Sequence, residues 1–174
     1  RTFVSGIQKM PPGHVLRYDT GGVTCWRYWD VQPSTSAGRM SFGDQVDTVD
    51  KLLKAAVVRR LESDVPLGSF LSAGIDSGIV SAMAAEALDE PLRTFTVGFE
   101  DDTVGVDERP LARQIADRYG TDHQELFVGA EDAGPLPQLI WNAGEPFADV
   151  SVLPSHQISR LARSEITVAL TGDG

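Results

Sequence analysis

The chain has 174 residues, 41% of them apolar and 23% charged, enough for one medium-sized domain with a proper core. Its 15 basic residues against 25 acidic ones leave a net charge of −10, the wrong sign for a non-specific nucleic-acid binder. No run of eighteen apolar residues occurs and the opening Arg1-Thr2-Phe3-Val4 has no secretory pattern, so neither a transmembrane helix nor a signal peptide is expected.

Residues 14–19 and 23–29 are β-rich runs joined by Thr20-Gly21-Gly22, a hairpin signal. The single cysteine, Cys25, lies in the second run and reads as a structural thiol. It rules out an internal disulfide and fits a reducing compartment, so a cytoplasmic location is expected. Residues 32–39 are rich in Pro, Ser and Gly and read as a loop. Ser41 is placed to cap the next helix, with Asp44 at the positive end of its dipole. Val46, Val49, Leu53, Ala56 and Val57 then recur at helical spacing, widened by Leu52. That helix is expected to end near Glu62 and to serve packing alone.

Four strands are expected next, over residues 67–72, 93–99, 124–128 and 166–171. Helices over 79–88, 110–119, 136–141 and 154–163 alternate with them, the second opening on Pro110. This alternation predicts an α/β fold with a doubly wound, mostly parallel sheet, preceded by the β-hairpin segment. Residues 1–40 form the linker and hairpin, and 41–174 the main domain. In such a sheet a ligand sits beyond the carboxyl ends of the strands where the winding reverses. The first and fourth of these strands are expected to be neighbours, which brings Ser72-Ala73-Gly74 beside Thr171-Gly172-Asp173-Gly174.

The segment Ser72-Ala73-Gly74-Ile75-Asp76-Ser77-Gly78 follows an apolar strand and runs into a helix. Backbone N–H groups and a helix N-terminus then surround one spot, a setting that favours phosphate. The Ser72 and Ser77 hydroxyls can donate to phosphate oxygens. Asp76 fits there as a ligand of a magnesium ion travelling with that phosphate. No lysine stands near Gly74 or Gly78, so this is not a Walker A loop. The pattern S-x-G-x-D-S resembles the pyrophosphate-binding loop SGGxDSS of the PP-loop ATP pyrophosphatases, departing from it at Ala73 and Gly78. Were φ positive at Ala73, alanine would cost roughly 1 kcal/mol or more.

Companion motifs follow in order. Gly6-Ile7-Gln8-Lys9-Met10-Pro11-Pro12-Gly13-His14, Arg27-Tyr28-Trp29-Asp30, Thr94-Phe95-Thr96-Val97-Gly98-Phe99 and Asp107-Glu108 with Ala112-Arg113 come first. Gly120-Thr121-Asp122-His123, Gly144-Glu145-Pro146-Phe147-Ala148-Asp149 and Leu170-Thr171-Gly172-Asp173-Gly174 complete the set. Together they resemble the synthetase domain of the asparagine synthetase B family over nearly the whole chain. The resemblance implies an adenine nucleotide alpha hydrolase-like, PP-loop fold. It also implies an ATP-dependent amidotransferase in which ATP with Mg2+ converts a carboxylate into an acyl-adenylate. Ammonia from a glutaminase domain absent from this chain then forms the amide.

Asparagine biosynthesis from aspartate is the first expectation. The same chemistry on a sugar, a peptide or a ring closure, and a non-catalytic nucleotide-binding module, are the alternatives. The resemblance assigns Ser72, Gly74, Ser77 and Gly78 to pyrophosphate, and Phe70, Leu71 and Val97 to the adenosine. Thr171 and Gly172 lie against the nucleotide, Asp76 is the metal ligand, and Asp173 stands near the acyl-adenylate. The chain reads as a fragment, inactive by itself. No nucleic-acid or membrane partner is expected, and room is left for a homodimer.

His14, His123 and His156 lack metal-ligand spacing and read as ordinary histidines. Asp107, Glu108 and Arg113 read as a helix-start ion pair, and Trp26, Trp29 and Trp141 as packing residues. Glu100-Asp101-Asp102 reads as a solvated loop. Glu145 and Asp149, four apart, are weighed evenly between a ligand-binding face and a solvated loop with a capping acid, the resemblance favouring a functional role for Asp149.

Overall fold

The computed structural model describes residues 2–33, 38, 40–99, 107–129, 133–144, 146, 149 and 151–173. Glu100, Asp101, Asp102, Glu145, Phe147, Ala148 and Gly174 lie outside the described residues.

Strands β1 (His14–Asp19) and β2 (Gly22–Arg27) pair antiparallel with Asp19 opposite Gly22. The turn is therefore Thr20-Gly21. Asp19 accepts the Gly21 N–H at 2.8 Å, and Gly22 takes φ +105°, a conformation glycine adopts without the Cβ penalty. Every residue of the hairpin strands after the first is exposed, Cys25 included. Trp26, Trp29 and Trp141 are also exposed, so the expectation that the tryptophans pack is not met among the described neighbours.

Helix α1 (Phe42–Arg60) begins as expected, with the Ser41 hydroxyl accepting the Asp44 N–H at 3.2 Å. Its apolar stripe is buried only near its C-terminal end, at Val57, while Val46, Val49 and Leu52 stay about half exposed or more. Val57 joins Ala84, Leu92 and Leu170 in one core cluster.

The remaining elements alternate. They are β3 (Leu67–Phe70), α2 (Ile75–Ala87), β4 (Arg93–Phe99), α3 (Arg109–Tyr119), β5 (Asp122–Val128), α4 (Leu136–Ala143), α5 (Val152–Ala162) and β6 (Val168–Leu170). The four strands form one parallel sheet in the order β5-β4-β3-β6. The chain winds outward from β3 to β5, then crosses back to place β6 on the free side of β3. That reversal is the predicted neighbouring of the first and fourth strands.

Helices cover both faces, as parallel strands require. Ala112 and Ala116 of α3 bury Leu71 on the α1–α2–α3 face, and Ile158 and Ala162 of α5 bury Phe95 on the other. The small residues of β3 have a packing reason. A Cβ on Gly68 would stand 2.7 Å from the Arg93 carbonyl oxygen, and the buried Ser69 hydroxyl is satisfied by Ser81 at 2.9 Å.

Helix α2 starts at Ile75, four residues before the expected 79. Gly74 is its N-cap, with extended backbone (φ −69°, ψ 146°). Asp76, Ser77 and Gly78 therefore belong to the first helical turn rather than to a loop.

Candidate functional site

Ser77 organises the turn between β3 and α2. Its hydroxyl accepts the Ser72 N–H at 3.1 Å and lies 2.7 Å from the Ser72 hydroxyl and 3.2 Å from the Gly74 carbonyl oxygen. The Ser72 hydroxyl in turn accepts the Gly74 N–H at 3.0 Å. The bond between the two hydroxyls can run in either direction, and the Ser77 hydroxyl can also donate to the Gly74 carbonyl. These two serines shape the turn, and with Ser77 as the donor the Ser72 hydroxyl, which lines the adjoining cleft, keeps its proton for another acceptor. The other donors are main-chain ones. The N–H groups of Ile75, Asp76 and Ser77 have no partner among the described residues, as first-turn helix amides commonly do not.

Among the described residues no residue other than glycine has a positive φ. Ala73 therefore sits without the strain weighed from the sequence. Gly78 faces α3, where an added Cβ would meet Ile115 at an ordinary 3.4 Å. A serine there would point at the helix interface, so its absence removes no group from the turn.

The end of β6 closes onto this turn. A Cβ on Gly172 would lie 2.4 Å from the Ser77 nitrogen and 2.9 Å from the Asp76 carbonyl carbon. Only a glycine lets the two backbones touch. Residues roughly a hundred positions apart thus form one wall.

A cleft of about 420 Å3 opens beside it, at the carboxyl ends of β3, β4 and β6. Phe70, Leu71, Ser72, Val97, Thr171, Gly172 and Asp173, all expected from the sequence, line it. Gly74, Asp76, Ser77 and Gly78 do not; they form the adjoining turn and the first turn of α2. The structure adds Ser151, Pro154, Ser155 and Ile158 from the start of α5, as well as Asp107 and Glu108.

The cleft is acidic. Asp107, Glu108 and Asp173 line it, and no Lys, Arg or His among the described residues does. Asp107 is neutralised by its neighbour. Its two oxygens accept from Arg109 Nε and Nη2 at 2.8 Å each, and that bonding holds its carboxyl below the usual carboxylate range. The expected ion pair with Arg113 is not formed; Arg113 bonds Glu125 at 3.0 Å across to β5. Glu108 instead accepts the Ala73 N–H at 3.2 Å. Sequence reasoning missed this role, although an acidic pair just after the β4 loop lies on the ligand side of any such sheet. Asp149 is exposed and accepts the Ser151 N–H at 2.9 Å, which lowers its pKa; Ser151 is the N-cap residue of α5, so this carboxylate caps no described first-turn amide of that helix.

His123 is enclosed, with 2% side-chain exposure, and its Nδ1 lies 2.9 Å from the Thr94 hydroxyl. It stands far along β5 from the cleft lining and shares no residue with it. No group of three His, Cys, Asp or Glu among the described residues could hold a metal. No helix among them is long and apolar enough to cross a membrane.

Residues 48–174 match the family described as asparagine synthase. A Methanocaldococcus jannaschii protein, provisionally named glutamine-hydrolysing asparagine synthetase 2, is 40% identical over 151 residues, covering 86% of this chain and 28% of that protein. The glutamine-hydrolysing asparagine synthetase 1 of Bacillus subtilis is 35% identical over 183 residues, covering 99% of this chain and 27% of that enzyme. The chain thus spans little more than a quarter of these relatives. Among solved structures, an NH3-dependent NAD synthetase from Campylobacter jejuni is similar with a TM-score of 0.49 at 10% identity, over 74% of this chain and 56% of that one.

Proposed function

The chain belongs to the asparagine synthase family, and on that premise we propose that it is the ATP-binding part of a synthetase that activates a carboxylate and turns it into an amide. An acceptor carboxylate oxygen attacks the α-phosphorus of ATP, and the bond from that phosphorus to the pyrophosphate oxygen breaks. The products of this half-reaction are an acyl-adenylate and pyrophosphate. Ammonia then attacks the acyl carbon, AMP leaves with the bonding electron pair, and the nitrogen sheds a proton. Aspartate is the proposed acceptor, and a glutaminase domain the proposed ammonia source. The cytoplasm is the proposed location, in agreement with the lone cysteine. The proposal assigns residues 1–40 to a linker and hairpin segment and 41–174 to the nucleotide-binding unit.

One observation carries this reading: the unpartnered N–H groups at the start of α2 adjoin the cleft that the end of β6 lines, at the reversal of the sheet. In it, the amides of Ile75 and Asp76 bind the leaving pyrophosphate, with the α2 dipole behind them. Phe70, Val97 and Ile158 offer an apolar wall to the adenine, and Gly172 holds the turn in place. Catalysis of this kind is chiefly positioning and charge neutralisation. A magnesium ion fits these residues only as one that arrives with the phosphates, since such an ion commonly takes one or two protein carboxylates and keeps several waters. Asp76, exposed on the first turn of α2, would hold it, and its charge would offset that of the phosphates. Asp173 lines the cleft and would stand beside the acyl group.

The test is exchange of labelled pyrophosphate into ATP by the intact protein. Exchange is expected only with the acceptor carboxylate and magnesium present, and Asp76→Ala is expected to abolish it. Full exchange by that variant would remove Asp76 from the mechanism. Exchange that ignored every carboxylate offered would remove the ligase reading.

A further inference from the structure

The phosphate-binding turn already holds an anion of the protein's own. Glu108 Oε2 accepts the Ala73 N–H at 3.2 Å, so a carboxylate oxygen stands where an oxygen of an incoming anion would seek a donor. This contact spans 35 residues of sequence and joins the β3–α2 turn to the start of α3.

Its placement is built rather than incidental. On one side of Glu108, Asp107 is clamped by Arg109 through three bonds, two from the guanidinium and one from the Arg109 N–H at 3.1 Å. The Arg109 guanidinium lies over the Phe127 ring, 3.8 Å from its centroid. The same side chain crosses Gly98, where a Cβ would stand 2.4 Å from the Arg109 Cδ. On the other side, the Glu108 carbonyl accepts the Ala112 N–H at 3.0 Å and starts the helix. Glu108 therefore has locked neighbours and no ion-pair partner among the described residues, and its carboxylate is aimed at the turn.

We propose that Glu108 is a specificity-determining residue: its carboxylate competes with ligand phosphate for the Ala73 N–H, so a bare polyphosphate is disfavoured by this site. A free anion must both displace that carboxylate and tolerate it at short range. A polyphosphate whose charge is largely neutralised by a divalent cation meets much less of that repulsion. The residue thus sorts ligands by charge state before any chemistry occurs. This inference rests on the nucleotide reading above.

Metal-free inorganic pyrophosphate is the probe, titrated calorimetrically into the intact protein, selectively labelled with 15N-alanine. Loss of a charge-assisted hydrogen bond of this kind converts to about tenfold or more in affinity. Glu108→Gln and Glu108→Ala are therefore expected to bind metal-free pyrophosphate at least about tenfold more tightly than the wild type, with a smaller gain once magnesium is added. The Ala73 amide resonance is expected to move upfield in Glu108→Ala before any ligand is added. Unchanged or weaker pyrophosphate binding in the near-isosteric Glu108→Gln would overturn the inference, as would an Ala73 resonance that does not move. Either result leaves the nucleotide reading standing so long as the wild type binds pyrophosphate. No binding by the wild type or by either variant would bring down both.

Discussion

Gly172 leaves no room for a side chain, because its Cβ would meet backbone atoms rather than a side chain that could swing away. Gly172→Ala is therefore expected to separate β6 from α2, costing about 1–3 kcal/mol in chemical denaturation and weakening pyrophosphate binding. Wild-type values for both would mean that the two backbones do not meet as described. Ala73 makes the opposite case. Because its φ is not positive, Ala73→Gly relieves nothing and adds freedom to the unfolded chain. It should lower stability by about 0.4–1 kcal/mol, and a stabilised variant would show that the turn wants a left-handed residue there. The S-x-G-x-D-S spacing was legible in the sequence, but not that the Ser72 and Ser77 hydroxyls bond each other and shape the turn they stand in. Residue type announces a hydrogen-bonding capacity; only the neighbours decide where it is spent.

Within the elements, β5 carries a titratable group whose surroundings oppose its charge. Burial, then the nearby Arg113, holds the His123 pKa below its ordinary 6.5, against the pull of Glu125 and Asp117. The unfolded chain thus binds a proton at a higher pH than the folded one. The stabilisation from a neutral His123 is full above about pH 6.5 and is lost as pH falls from there toward the lower folded-state value. Unfolding free energies measured across that interval should fall with pH in the wild type and fall less in His123→Asn. Equal slopes in the two would show that the imidazole is not enclosed. The burial of this histidine against Thr94 was not visible in the sequence, since strand register and not periodicity puts it there. Helix α1 shows the converse. Its stripe was readable, yet Val46, Val49 and Leu52 stay exposed because only its C-terminal end reaches α2 and the sheet.

Over the whole molecule, packing is uneven. The hairpin strands expose nearly every residue, whereas β3 and β4 are largely buried between helices. Native-state amide exchange should therefore be fast over residues 14–27 and slowest over 67–70 and 93–98. Equal protection in the two regions would show that the hairpin is packed as firmly as the central sheet. The alternation of apolar strands and helices determined the fold class from sequence alone, because two-sided burial in a parallel sheet demands that pattern. The neighbouring of β3 and β6 was expected from the alternation, but the touch of Gly172 on Ser77, the acidic lining of the cleft and the reach of Glu108 to Ala73 were decided only by the tertiary structure. Those contacts join residues tens of positions apart, and local spacing carries no information about which distant backbone will arrive beside it.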